Sequence, residues 1–495
     1  MGTRTRRSKV APEPAVPADR SRLQTRLTEL KSISENPATP GAFDTTILGV
    51  GDSDPHIRRA AAWTLGALRD VRGRALLEAA LRDPDPAVRG TAAESLGALA
   101  LPRSRLALEE ALSDPVVRVR SHAAWALWAI ADPASLESLI PLLTDPDPSV
   151  RWSAVSAIGR LPTPATLAPL VGALEDTNDR VRREAILGLG RLEDPSVPML
   201  VRPFLADGAR RVRVAAAVTL GRRRDRGSVP ALLERLHTDE GWVLPGVLVA
   251  LGRIGDPSVA PDVVVAAGRR EAWIRVCAVH ALGLLGVPEA IEVARAALTD
   301  PAWAVRGAGA ECLALVGGPD DLNRLLERLE DPHPWPRRGA LHAIGRLGLT
   351  AAAPRVREEL KHPVPEVRLA AIWALGRLRD DGAKEALVQM LRSLGPNAAE
   401  SRTLAEGDGG AVKILSDAEG RLFDATVQAL SRLCEGEGDP VVLRAVSDAR
   451  SRVRDDELDR PVRLPTFDDP GTPGLTLRQL FDGVLAAVDD DELGC

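Results

Sequence analysis

The apolar positions of this chain recur at helical spacing inside a longer, fixed period. Val150, Ala154, Val155, Ile158 and Leu161 share one stripe at 100° per residue, and Trp152, Ser156 and Arg160 fall opposite it. The same arrangement, an apolar residue, an arginine and then a small-residue helix, returns with its arginine at Arg58, Arg89, Arg120, Arg151, Arg182 and Arg213, in steps of 31 residues. Leu244 occupies the next step, and Arg275, Arg306, Arg337 and Arg368 resume the register without slippage. A twelfth unit, Leu422 to Leu433, fits the template with Phe423 in the arginine slot after a 24-residue insertion. Each unit predicts a helical hairpin: in the second, helix A over about Gly73 to Arg82, a turn at Asp83-Pro84-Asp85-Pro86, and helix B over Ala87 to Leu99. Twelve periods account for 372 of 495 residues, and a period of this length is the signature of a stacked solenoid.

The turns carry their own chemistry. Asp accepts backbone N–H bonds at a helix start and Pro is tolerated in the first helical turn, so the Asp-Pro pairs at 54, 114, 145, 300 and 331 read as helix punctuation. The slot arginine projects at the margin of the buried stripe, close to those aspartates, which predicts a structural ladder of one Arg–Asp contact per unit tying turn to helix. The glycine eight positions on (Gly66, Gly97, Gly159, Gly190, Gly221, Gly252, Gly283, Gly345, Gly376) is too regular for a catalytic loop and predicts close approach of neighbouring helices.

Outside the repeat, residues 1–20 read as a disordered basic tail with Pro12, Pro14 and Pro17, and residues 21–41 as an N-terminal capping helix. The solenoid runs over 42–433, with an inserted loop at about 392–416. A C-terminal capping helix is expected over 434–460. Residues 461–495 combine a Pro-rich linker with an amphipathic helix that ends in Asp489-Asp490-Asp491-Glu492, and that helix either caps the solenoid or docks on a partner.

Composition narrows the class. There is no tyrosine, Ala, Leu, Arg and Glu dominate, and nothing alternates with period two, so the fold is expected to be all-α. Net charge is −5 and no apolar run is long enough to span a membrane, which points to a cytoplasmic chain. Cys277, Cys312, Cys434 and Cys495 lie far apart without a CxxC pair, so neither a disulfide framework nor a zinc site is expected. The seven histidines form no His-Glu dipeptide, and HExxH, GxSxG, P-loop and dinucleotide fingerprints are all missing. No cofactor and no catalytic residue is predicted.

The stretch Asp145-Pro146-Asp147-Pro148-Ser149-Val150-Arg151-Trp152-Ser153-Ala154-Val155-Ser156-Ala157-Ile158-Gly159-Arg160-Leu161 resembles HEAT repeats, specifically the short bacterial and archaeal type also found in phycobilisome lyase subunits. The resemblance covers nearly the whole chain. It implies a right-handed α-α superhelix of about twelve helical hairpins whose B helices line the concave face, and it says little about function.

On that face the outward positions are one, five and nine after the arginine slot. Nine after gives Arg160, Arg191, Arg222, Arg253, Arg346, Arg377 and Arg432, interrupted by Leu284 and Leu315. Five after gives Trp63, Trp125 and Trp373 with His280 and His342; one after adds Arg59, Trp152, Arg183 and Arg338. These arginines either complement helix C-termini and keep the surface soluble, or steer a partner. The tryptophans either pack between adjacent B helices or anchor that partner. Trp242, Trp273, Trp303 and Trp335 sit at the A–B turns and are expected to pack between units. The function expected is a non-enzymatic protein-interaction scaffold that takes an acidic or apolar partner segment, with Trp63, Trp125, Trp152, Trp373, Arg59, Arg160, Arg183, Arg191, Arg222, Arg253, Arg346 and Arg377 as its binding residues. A bilin-lyase-like enzyme subunit is the alternative. Nucleic acid is disfavoured because lysine is nearly absent and the chain is acidic, although Arg210 to Arg226 is strongly basic.

Overall fold

The structure is a computed structural model that describes residues 18–37, 39–393, 417–433, 442 and 444–446. Every regular element among the described residues is helical. Most of the expected tail at 1–20, the loop at 392–416, the capping helix at 434–460 and all of 461–495 lie outside them. The chain divides into two compact halves, Met1–Arg223 and Arg224–Cys495. The first holds units 1 to 6 and the second units 7 to 12.

The repeat period becomes a stack of hairpins. In the first half the B helices are Pro55–Leu68, Pro86–Leu99, Val117–Ile130, Pro148–Ile158, Asp179–Leu189 and Arg210–Arg222, and each packs beside the next. The second half repeats this with Val243–Ile254, Ala272–Leu285, Trp303–Val316, Pro334–Leu347, Pro365–Leu378 and Asp417–Leu433. Ahead of unit 1, helix Ala18–Glu35 places Leu30 against Ile57 and Ala61. The A helices are shorter than the B helices. Pro141 and Pro203 each remove a backbone donor partway along, and the chain tightens there into 3-10 turns, Ile140–Thr144 and Arg202–Ala206.

Burial follows the predicted stripe. Val150, Ala154, Val155 and Ile158 are fully buried and Leu161 nearly so. Ser156, expected on the outer face, is buried as well; the position five after the slot faces the preceding B helix, as Trp125 does where it lies against Gly97. The glycine slot explains that closeness: a Cβ on Gly252 would lie 2.8 Å from the Cα of Ala281 in the following B helix. With side chains this small, neighbouring helices touch through their backbones, and each interface is dense without large residues.

The Asp-Pro-Asp-Pro turn divides two tasks between its carboxylates. The second, Asp85, caps helix B by accepting the amides of Ala87 and Val88. The first, Asp83, accepts the amide of Asp85 at 2.8 Å and a two-pronged bond from Arg58 of the preceding unit, Nε to Oδ2 at 2.7 Å and Nη2 to Oδ1 at 2.9 Å. The remaining guanidinium nitrogen, Nη1, donates to the carbonyls of Asp52 and Ser53 in the arginine's own turn. The ladder therefore ties one unit to the next, whereas the sequence suggested a tie within each unit. The same fork joins Arg89 to Asp114, Arg120 to Asp145, Arg151 to Asp176 and Arg182 to Asp207, and in the second half Arg275 to Asp300 and Arg306 to Asp331. Arg337 reaches Glu359 instead, and Arg368 donates to the carbonyls of His362 and Pro363.

These rungs are mostly shielded from water, so they are worth more than surface pairs. The hydrogen bond from Arg58 holds the Asp83 carboxyl below its ordinary range against the opposing effect of burial. At Asp114, burial pushes up, but the bonds from Arg89 and from the Val116 amide outweigh it and the net shift is downward.

Candidate protein-binding face of the B helices

In the first half, the position nine residues after the arginine slot reads Ala67, Ala98 and Ala129, then Arg160, Arg191 and Arg222. All three arginines are exposed, as are Trp63, Trp125, Trp152 and Arg59; Arg183 is half-buried beside Glu184. The residues that converge are in units 3 to 5. Trp125 and Trp128 stack with ring centroids 6.3 Å apart, and the Arg160 guanidinium lies 4.2 Å from the Trp128 ring. Such a cation–π contact holds the arginine's stem in place while its edge remains available. Trp125 also lies over Gly97 of the preceding B helix, where a Cβ would come within 2.7 Å of the indole. It packs between helices and still keeps 38% of its surface exposed, so its two sequence readings are not exclusive. Beside this cluster Arg191 donates to the Gly159 carbonyl at 3.2 Å, and a cavity of about 590 Å³ opens between Arg160, Leu161, Pro162, Arg191 and Leu192.

Trp128 was not among the residues singled out by the repeat. It occupies the slot that holds glycine in the units on either side, and that break in the glycine register was the available signal. The basic run near Arg210 is largely occupied by structure. Arg211 pairs with Asp179 at 2.9 Å, Arg213 donates to the carbonyls of Asp207 and Gly208, and Arg223 donates to those of Leu192 and Asp194.

In the second half the same row reads Arg253, Leu284, Leu315, Arg346 and Arg377. The arginines are exposed, and the two leucines keep 40% and 38% of their surface in solvent. Trp373, expected to face outward, is only 9% exposed. Its ring lies 4.8 Å from that of His342, and a Cβ on Gly345 would meet the indole at 2.8 Å. The position five after the slot here turns into the crevice with the preceding B helix, which the glycine opens. His342 is buried there too. Burial, then the charges of Arg346, Arg338 and Arg377, push its imidazole down to about 4. His280 remains on the surface.

The turn tryptophans do pack between units. Trp242 and Trp273 stack at 5.5 Å, Trp303 stacks on His333 at 3.9 Å, and Trp335 lies so close over Gly307 of the preceding B helix that a Cβ there would strike its ring. Trp242, Trp303 and Trp335 stay exposed nevertheless, Trp242 by 78%, while Trp273 is half-buried.

No cluster of three metal-ligating side chains occurs among the described residues, and burial pushes the Cys312 thiol up to about 12, far from a reactive thiolate. No helix of the described residues is long and apolar enough to cross a membrane.

The sequence matches no curated protein. Among solved structures, yeast importin-beta (Kap95p) superposes with a TM-score of 0.55 at 14% identity, covering 88% of this chain and 67% of that one. Importin beta crystallised in ammonium sulfate gives a TM-score of 0.50 at 14% identity, over 96% and 71% of the two chains. At that identity the likeness speaks for the fold alone, an all-α superhelix. The family model of HEAT repeats matches residues 43–127, 73–147, 106–190, 136–209, 170–245, 198–276, 261–340 and 322–399. Those windows overlap into one span, the same one that carries the ladder, the glycine slots and the row of outward arginines, and the chain accordingly belongs to the HEAT-repeat family.

Proposed function

We propose that the chain is a non-enzymatic scaffold that holds an acidic or apolar segment of a protein partner against the exposed face of its B helices. The observation that carries this reading is the cluster of Trp125, Trp128 and Arg160: an exposed indole stacked on a half-buried one, with an exposed guanidinium over the second, next to a cavity of about 590 Å³. Trp and Arg are the residue types that dominate interface energetics, and exposing them costs free energy that a bound partner recovers. Arg191 and Arg222 extend the cluster as steering charges, with Trp152 and Arg183 on the B helices of units 4 and 5 and Trp63 and Arg59 two units before the tryptophan pair. In the second half Arg253, Arg346 and Arg377 play the same part, and Trp373 supports the face from beneath. Solved HEAT-like structures include Kap95p with RanGDP and a Kap95:Nup1 complex, which supports a partner-binding use of such a scaffold.

The test is a pull-down with the full-length chain from its native host. Trp125→Ala with Trp128→Ala is expected to cut partner recovery by about thirtyfold, the equivalent of about 2 kcal/mol. A matching thermal melt controls for folding. Recovery equal to wild type would remove the cluster as the docking site.

A further inference from the structure

The row of exposed residues in the second half changes character in its middle, and that change specifies a ligand. Arg253, Leu284, Leu315 and Arg346 occupy the same position in four successive B helices, Val243–Ile254, Ala272–Leu285, Trp303–Val316 and Pro334–Leu347, each packed on the next. Leu315 leans onto the helix that carries Leu284: a Cβ on the adjacent Gly283 would lie 3.1 Å from its Cδ1. The two leucines thus form one apolar strip, and a guanidinium stands at each end of it. We propose that this strip binds an extended segment of a protein partner in which two leucine-like residues are flanked on both sides by carboxylates. The proposal rests on the reading of the B-helix face as the binding face and adds what that face selects in this half.

Charge complementarity fixes the ends. Arg253 and Arg346 are both exposed, and Glu311, the acidic residue at the position five after the slot in an intervening unit, is engaged by Arg338 at 2.9 Å. An acidic residue at each end of the ligand therefore meets a guanidinium not already matched by Glu311. Spacing fixes the conformation. Packed helices stand about 8–10 Å apart, and a polyproline-type chain advances about 9 Å in three residues while returning to the same side. One ligand residue in three then meets each unit, giving acid-x-x-Leu-x-x-Leu-x-x-acid. A ligand helix fits poorly, because it needs an apolar stripe about 100° wide. The strip is one residue wide per unit and is bordered at the position five after the slot by His280 and Glu311.

The experiment uses the full-length chain and a fluorescent ten-residue probe, acid-x-x-Leu-x-x-Leu-x-x-acid, with proline and serine at the x positions, read by anisotropy. The wild type is expected to bind with an affinity that falls as salt rises. Arg253→Glu with Arg346→Glu should weaken binding at least tenfold and remove the salt dependence, and Leu284→Ser with Leu315→Ser should weaken it at least tenfold. A probe shortened to two residues between anchors should lose at least tenfold as well. All these positions are on the surface, so unchanged melting curves show that the variants fold. Probe binding that ignores the four substitutions, or that tolerates the shortened spacing, overturns the proposal. Trp125→Ala with Trp128→Ala should leave probe binding unchanged; if it alone abolishes binding, the ligand sits in the first half and the strip is not its site. Two further results would assign the strip to another occupant and so overturn the proposal. One is a dimer in sedimentation that Leu284→Ser with Leu315→Ser dissolves. The other is a tenfold gain in probe affinity when residues 475–495, apolar and then acidic in sequence, are removed.

Discussion

Arg151 and Arg160 stand nine residues apart, one in the first turn of helix Pro148–Ile158 and the other just past its end, and the fold uses them in opposite ways. Arg151, at the A–B edge, spends its guanidinium on Asp176 of the next unit and on two carbonyls of its own turn. Arg160, at the other end, rests on an indole and presents its edge to solvent. At the edge, the arginines tie successive turns together within each half. Across the face, the same residue type is left available for recognition. The difference lies in what surrounds the group: carboxylates and carbonyls fixed by backbone turns at one end, and a free helix surface at the other.

The comparison breaks most sharply on stability. Arg89→Ala leaves Asp114 shielded and without its forked partner, so urea unfolding should show a loss of about 3 kcal/mol, near the cost of breaking a buried pair. Because units interact only with their neighbours, the loss should fall on the interface between units 2 and 3 and broaden the transition. The paired substitution Arg89→Ala with Asp114→Ala should restore part of it. If Arg89→Ala costs no more than an exposed pair, the ladder is ornamental and the contrast fails.

A second expectation concerns acid. Asp83, Asp114, Asp176, Asp207, Asp300 and Asp331 all have folded values depressed below the ordinary carboxylate range, Asp83 first through its bond from Arg58 and the other five in spite of burial. Their stabilisation is complete above the unfolded value of about 3.9 and is lost as pH falls through the lower folded values. Unfolding midpoints should therefore drop steeply below about pH 4, and less steeply in Arg89→Ala.

His342 adds a milder slope at higher pH. Its folded value of about 4 lies under the unfolded 6.5, so the unfolded chain takes up the proton first and stability declines as pH falls from about 6.5 to about 4. The decline should be on the order of 3 kcal/mol and absent in His342→Leu. Arg346→Ala should reduce it, since that exposed arginine contributes to the shift. This would show that a face arginine is felt in the interior through its charge while making no framework contact. The smallest expected effect completes the contrast: Arg191→Ala and Arg222→Ala should each change stability by less than about 0.5 kcal/mol, as surface substitutions do.

Much of this organisation is legible in the sequence. The 31-residue period, the buried stripe of Val150, Ala154, Val155 and Ile158, and the glycine slot follow from spacing alone, because helical periodicity and small-residue contacts are local properties that each unit repeats. The outward position of Arg160, Arg191 and Arg222 follows from the same wheel. Tertiary structure decided whatever depends on the next unit. It sent the arginine's fork across the interface to Asp83 or Asp114, a step that no single hairpin reveals. It turned Trp373 and Ser156 inward, because a neighbouring helix covered positions that an isolated wheel leaves open. It brought Trp128 out of a glycine slot to stack with Trp125 beneath Arg160, and it laid Leu315 against the helix that carries Leu284. The sequence determines which side of each helix faces its neighbours; the distance and direction of those neighbours settle which outward residues stay exposed and which become partners of the next unit.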